Sequence, residues 1–183
     1  MSNEFAKADM AKILFSEEDI QRRIKELAKE LSKDYKDKVP IMIAVLRGAI
    51  LFFSDLVKEM DIHLEMNFLA ISSYGSGTES SGEVRIQYDM QESIKDRHVI
   101  VVEDIIDSGL TISHLREILE ARHPATIKVC SLLDKPSRRV VEAEGDYIGF
   151  EVPNEFVVGY GLDYAGKYRN LKYIGVLKPD IYE

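Results

Sequence analysis

A doubly wound α/β domain with a mostly parallel central sheet is predicted by three features of the chain. Strand-like apolar runs and helical periodicities alternate through its middle, with no internal repeat and no linker-like composition. Residues 99–111 (Val-Ile-Val-Val-Glu-Asp-Ile-Ile-Asp-Ser-Gly-Leu-Thr) begin as a β-branched run of the kind buried on both faces of a parallel sheet, and end in small and hydroxylated residues that open a helical pattern. The third feature is size. At 183 residues, 45% hydrophobic and 31% charged, the chain suits one soluble domain, residues 1–183, with a core that needs no staples.

The elements follow in order. Ser16-Glu-Glu-Asp19 is a capping-box-like helix start with acids in the first turn, and Ile20, Ile24, Leu27 and Leu31 then fall on one helical face. Pro40 precedes a compact strand over residues 41–45, and Leu46-Arg-Gly-Ala49 turns into a helix carrying Phe53, Leu56, Val57 and Met60. Residues 62–71 read as a strand, and Val84, Ile86 and Tyr88 alternate as the returning arm of a long hairpin. Between them, residues 72–82 are rich in glycine and serine and predict a flexible loop, with Tyr74 as its one large apolar residue. Ile112, Leu115, Ile118 and Leu119 give the next helix its buried stripe, closed by Pro124. Residues 127–133 form another buried strand ending at Asp134-Lys-Pro136, followed by a short strand at 147–150, a short apolar segment at 156–160 and a late strand at 173–177.

Composition narrows the function. No stretch approaches the roughly 18 apolar residues of a membrane span, and residues 1–12 carry no apolar segment before a cleavage site, so a cytoplasmic protein is expected. Cys130 is the only cysteine and lies inside an apolar run, which predicts a core residue rather than a nucleophile. The net charge is −8 without a Lys/Arg stripe, which argues against nucleic acid as a partner. A phosphorylated small molecule remains compatible, provided bound metal or a few placed cations receive it.

The end of the 99–106 strand is where an open α/β sheet binds ligands. Ser108, Gly109 and Thr111 can offer hydroxyls and free backbone N–H groups to an anion at a helix N-terminus. Glu103, Asp104 and Asp107 cannot bind phosphate themselves, so they imply a cation or a sugar beside it. At a strand end the neighbours Glu103 and Asp104 are expected to enter a turn, where both can face the crevice.

This constellation resembles the phosphoribosyl-diphosphate (PRPP) signature of the type I phosphoribosyltransferases. Farther along come Lys135 at a strand end, Phe156-Val-Val-Gly-Tyr-Gly-Leu-Asp163 and Tyr168-Arg-Asn170. With Ser73-Tyr74 and Leu46-Arg-Gly48, their order is similar to that of the hypoxanthine-guanine phosphoribosyltransferases, over about residues 14–177. The resemblance implies the type I phosphoribosyltransferase fold, with a small hood over the sheet and a flexible lid hairpin over about residues 72–86. It also implies transfer of phosphoribosyl from PRPP to hypoxanthine, and to guanine, giving a nucleoside monophosphate and diphosphate.

Roles follow by the same resemblance. Glu103 and Asp104 hold the ribose hydroxyls, directly or through Mg²⁺. The loop Ser108, Gly109, Leu110 and Thr111 cradles the 5′-phosphate. Asp107 lies near the purine N7 as the catalytic acid–base candidate. Carboxylates are weak bases near pH 7, so its larger expected share is stabilising oxocarbenium-like charge. Arg47, Gly48 and Arg169 bind diphosphate, and Ser73 and Tyr74 cap it in the closed state. Lys135 donates to the purine 6-oxo group, Phe156 stacks on the ring, and the Val157 backbone meets the base edge. Asp163 belongs to the purine site and ligates a second Mg²⁺ that also touches the diphosphate. The resemblance also implies a homodimer or homotetramer. Many relatives have Lys-Gly-Gly where this chain has Arg47-Gly48-Ala49, a change of little consequence if recognition there is by backbone. Two alternatives stay open on the residues alone: a xanthine-accepting enzyme, since the purine 2-position meets mostly backbone, and a non-catalytic nucleotide sensor on the same fold, disfavoured by the acidic surface.

Overall fold

Six strands form the central sheet in the order β4-β3-β2-β5-β6-β7. They are β2 (Ile41–Leu46), β3 (Glu65–Ser73), β4 (Val84–Tyr88), β5 (His98–Ile106), β6 (Thr126–Asp134) and β7 (Tyr147–Glu151). Every neighbouring pair is parallel except β3–β4, the antiparallel hairpin at one edge. A second sheet of three strands, β1 (Met10–Phe15), β9 (Ile174–Leu177) and β8 (Val157–Val158), forms the hood. The computed structural model describes residues 4–73 and 84–182. Tyr74 and residues 75–83 of the expected lid lie outside them.

Both faces of the large sheet are covered, as an all-apolar strand such as β2 requires. On one side α1 (Glu17–Asp34) and α2 (Ile50–Glu59) pack Ile20, Ile24, Leu27, Leu31, Phe52, Phe53 and Leu56 onto Met42, Ala44, Ile100 and Val102. On the other, α3 (Leu110–Glu120) sets Ile112, Leu115 and Leu119 against Ile43, Val99, Val101 and Val129. Ser16 caps α1 through a complete capping box with Asp19, as predicted. Cys130 is buried in the first of these cores, and burial pushes its thiol well above the ordinary range. Among the described residues, no helix is long and apolar enough to cross a membrane.

Several boundaries differ from expectation. β3 begins at Glu65 rather than residue 62 and runs on to Ser73, where it pairs with Val84. The ladder therefore claims Ser72 and Ser73, the first two residues of the span read as a loop. Ile118 is only partly buried, because the helix shows Leu115 and Leu119 to the sheet more fully. The turn Glu4–Asp9, strand β1 and the last helical turn α4 (Pro179–Tyr182) had not been foreseen.

The connection β2–α2–β3 leaves β2 on one side, while β5 returns on the other. The crevice between the carboxyl ends of β2 and β5 is thus a topological switch point, where open α/β sheets bind ligands.

Candidate active site

The acidic pair corrects one expectation. Glu103 and Asp104 lie within β5, not in a turn after it, since the β5–β6 ladder continues to Ile106. The strand instead shifts phase at the pair. Ile100 and Val102 face α1 and α2, yet Ile105 also packs on that side and Ile106 on the α3 side. This local break in alternation lets both acids line one cavity of about 320 Å³.

Ile105, Asp107, Ser108, Gly109, Thr111, Gly48, Asp163 and Arg169 line the same cavity. Gly109 is the N-cap of α3 with φ +86°, a left-handed conformation natural to glycine, and as the N-cap it offers no side-chain acceptor to the first turn. The first-turn N–H groups of α3 therefore face a cavity built from loop backbone, a ready anion site. Leu110 starts the helix, and its N–H lies 3.4 Å from the Ser108 hydroxyl oxygen.

The β2 turn closes the opposite wall. The Leu46–Arg47 peptide is cis, and the Arg47 side chain is exposed. Gly48 packs so closely that a Cβ there would lie 1.6 Å from Asp104 Oδ2. Gly161, at φ +103°, sits against the Gly48 carbonyl, and a Cβ on it would approach that oxygen to 2.0 Å. Gly161→Ala is therefore expected to destabilise the protein by on the order of 3 kcal/mol through backbone strain and overpacking. Chemical denaturation checks this, and a loss below ~1 kcal/mol would contradict it. Ser73 ends β3 beside this turn's strand.

Electrostatics set these acids apart. Burial pushes Glu103 well above the usual carboxylate range, reinforced by the Asp104 charge. Burial also raises Asp104 to about 6, against the Ile105 N–H (2.8 Å from Asp104 Oδ1) and the Arg169 guanidinium, which pull it back. Such a donor set fits a cation or ligand hydroxyls, and Mg²⁺ commonly takes one or two carboxylates plus substrate phosphates. Without ligand, Asp104 should cost stability as it ionises. Below its ordinary value of 3.8 it is protonated folded or unfolded; between there and about 6 only the folded state keeps the proton, so stability falls as pH rises through that window. Asp104→Asn should flatten this slope in the ligand-free protein, read as thermal midpoint against pH. An unchanged slope would contradict it.

A second cavity of about 650 Å³ adjoins the first. Lys135, Phe156, Val157 and Asp163 line it, together with Arg138, Leu162 and Tyr182. Lys135 is not a surface lysine: it is 7% exposed, and its ammonium donates to the Glu155 carbonyl at 2.8 Å. Burial lowers its pKa, partly countered by nearby Asp107. Two ammonium hydrogens remain for a ligand. Phe156 is 36% exposed and lines the same cavity.

Ile105, Asp107 and Asp163 line both cavities. Asp163 pairs with Arg169 at 2.6 Å, while Arg169 Nη1 donates to the Gly161 carbonyl. Asp107 is held by two arginines that the sequence reading passed over. Arg138 Nε donates to Asp107 Oδ1 at 3.0 Å. Arg139 donates to the Ile106 and Asp107 carbonyls and pairs with Asp134. The signal was available: two adjacent cations follow Lys135-Pro136 at the same sheet edge as the acids.

Comparison with known proteins identifies the family. The family model for the phosphoribosyl transferase domain matches residues 10–165. The chain is 54% identical over 177 residues to the hypoxanthine-guanine phosphoribosyltransferase of Bacillus subtilis (strain 168), covering 97% of this chain and 98% of that one. It is 53% identical over 180 residues to the bifunctional protein TilS/HprT of Listeria monocytogenes serotype 4b (strain F2365), spanning 98% of its own length but 28% of that longer protein. A crystal structure of a hypoxanthine phosphoribosyltransferase from Staphylococcus aureus matches at a TM-score of 0.96 and 45% identity, with 100% of each chain covered. A family model matched over most of the chain, and relatives more than half identical along nearly its whole length, show that it belongs to the phosphoribosyltransferase family, among the hypoxanthine-guanine phosphoribosyltransferases.

Proposed function

We propose that this protein transfers the 5-phosphoribosyl group of PRPP to the 6-oxopurine hypoxanthine, and to guanine, releasing diphosphate and inverting the anomeric carbon. The observation that carries this reading is the shared wall: Asp107 and Asp163 border both the acidic, anion-ready cavity and the aromatic one. A sugar seated in the first and a base seated in the second meet at those residues.

In this reading the α3 N-terminus and Ser108, Gly109, Leu110 and Thr111 hold the 5′-phosphate. Glu103 and Asp104 take the ribose hydroxyls and, with Asp163, would hold Mg²⁺. When bound, Mg²⁺ supplies positive charge beside the departing diphosphate. Arg169 adds a planar donor fork to the same group, with the Leu46–Arg47–Gly48 backbone beneath it. Asp107 stabilises the positive charge that grows on the sugar, and holds the proton that leaves the purine N7. Lys135, fixed by the Glu155 carbonyl, donates to O6; Phe156 stacks on the base and the Val157 backbone meets its edge. An ammonium has only donors, so it fits a 6-oxo group and opposes a 6-amino group.

The test is nucleotide formation from PRPP and Mg²⁺ with hypoxanthine, guanine, xanthine and adenine in parallel, followed by absorbance. Hypoxanthine and guanine should be converted and adenine refused. Preferred conversion of xanthine would revise the acceptor, and no conversion of any 6-oxopurine would end the proposal.

A further inference from the structure

We propose that Tyr182 is a positioning residue for the acceptor base, acting through Phe156; this rests on the reading above in which Phe156 receives the base. The two rings stack, with centroids 4.8 Å apart and planes 23° from parallel. Tyr164 meets Phe156 edge-on at 5.7 Å and 90°, and meets Tyr182 at 6.5 Å and 68°. The three rings thus form a closed triangle in which Phe156 is restrained in two directions at once.

The triangle is anchored on its far side. Lys178, just before α4, donates its N–H to the Asp9 carbonyl at 2.9 Å and its ammonium to the Ala8 carbonyl. Ile181 and Tyr182 then pack against the hood cluster that includes Ala6, Met10 and Leu171. At its own backbone Phe156 is fixed too, because its carbonyl accepts the Leu177 N–H at 2.9 Å. The side-chain torsions are the remaining freedom, and the stacked tyrosine restricts them.

Phe156 nevertheless keeps 36% of its surface exposed, and it lines the cavity shared with Lys135 and Asp107. Ile105 lines the same cavity. A planar base therefore enters a slot in which one wall is an aromatic ring already held at its working angle. Ordering that ring in advance removes a cost that would otherwise fall on base binding. The sugar-phosphate cavity is not lined by Tyr182, so the effect should be confined to the base.

Steady-state kinetics on the full chain test this. Tyr182→Ala and Tyr182→Leu should raise the hypoxanthine KM by roughly 3- to 10-fold, the range an aromatic pair's contribution converts to, with the PRPP KM and kcat within about twofold of wild type. Tyr182→Phe, which keeps the ring, should restore the hypoxanthine KM. In a Phe156→Ala background, removing Tyr182 should add nothing; a further loss there would mean that Tyr182, which also lines the base cavity, meets the base directly, and would overturn the route through Phe156. A hypoxanthine KM that stays the same or falls in both Tyr182→Ala and Tyr182→Leu would overturn the inference, a fall meaning that the tyrosine competes with the base. If Phe156→Ala itself left the hypoxanthine KM unchanged, the base-stacking reading would be the one that fails.

Discussion

Replacing Asp107 by asparagine should lower kcat by on the order of 100-fold or more, while the PRPP KM moves by no more than about threefold. The substitution isolates charge from shape. Asparagine fills the same volume, and its side-chain oxygen can still accept the Arg138 Nε that now lies 3.0 Å from Asp107 Oδ1. The backbone anchor is untouched, because Arg139 grips the Asp107 carbonyl and not the side chain. What disappears is the negative charge where the two cavities meet. There the departure of diphosphate leaves positive charge on the sugar, and a fixed carboxylate acts on that charge more strongly than on the neutral ground state. The effect should fall on kcat for that reason. A kcat within about tenfold of wild type would remove Asp107 from the chemistry.

The second large effect concerns base choice. A site built around a buried donor should prefer hypoxanthine over adenine by roughly 10⁴ in kcat/KM, because adenine would set its own amino donors against the Lys135 ammonium. In Lys135→Ala that preference should shrink to roughly 10²–10³, through a loss of about 10- to 100-fold on hypoxanthine. This is the range expected when a hydrogen bond from a charged group is removed. The argument depends on burial. At 7% exposure and with one hydrogen already committed to the Glu155 carbonyl, Lys135 cannot swing aside to escape a mismatched base. Competition assays with both purines present measure the ratio, and an unchanged ratio would mean that the backbone, not Lys135, selects the 6-substituent.

Much of this site was legible before any coordinates, and for a physical reason. The strand–acids–Gly109–helix pattern is local in sequence, so residues 99–111 carry both the sheet edge and the anion-binding turn within one short segment. Ser16, Ile20, Ile24, Leu27 and Leu31 announced α1 through its cap and its stripe, which are also local signals. Non-local features were harder. Strand β1 shows a largely exposed Ala-Lys face and exists because Met10 through Phe15 pair with β9 at the far end of the chain. The phase shift at Glu103 and Asp104 depends on how β5 packs between two cores, which alternation alone does not encode. Burial of Lys135 and the clamp of Arg138 and Arg139 on Asp107 likewise arise from tertiary proximity. Tyr182 reads as an unremarkable polar aromatic until α4 folds onto the hood.

Calorimetric titration of the purified protein with PRPP, with and without Mg²⁺, tests the central claim most directly. The buried acids and uncapped helix at the β2–β5 crevice predict saturable binding of one PRPP per chain with Mg²⁺, weakened by at least ~10-fold when the metal is chelated. Absence of saturable binding in Mg²⁺, or an affinity indifferent to the metal, would contradict it.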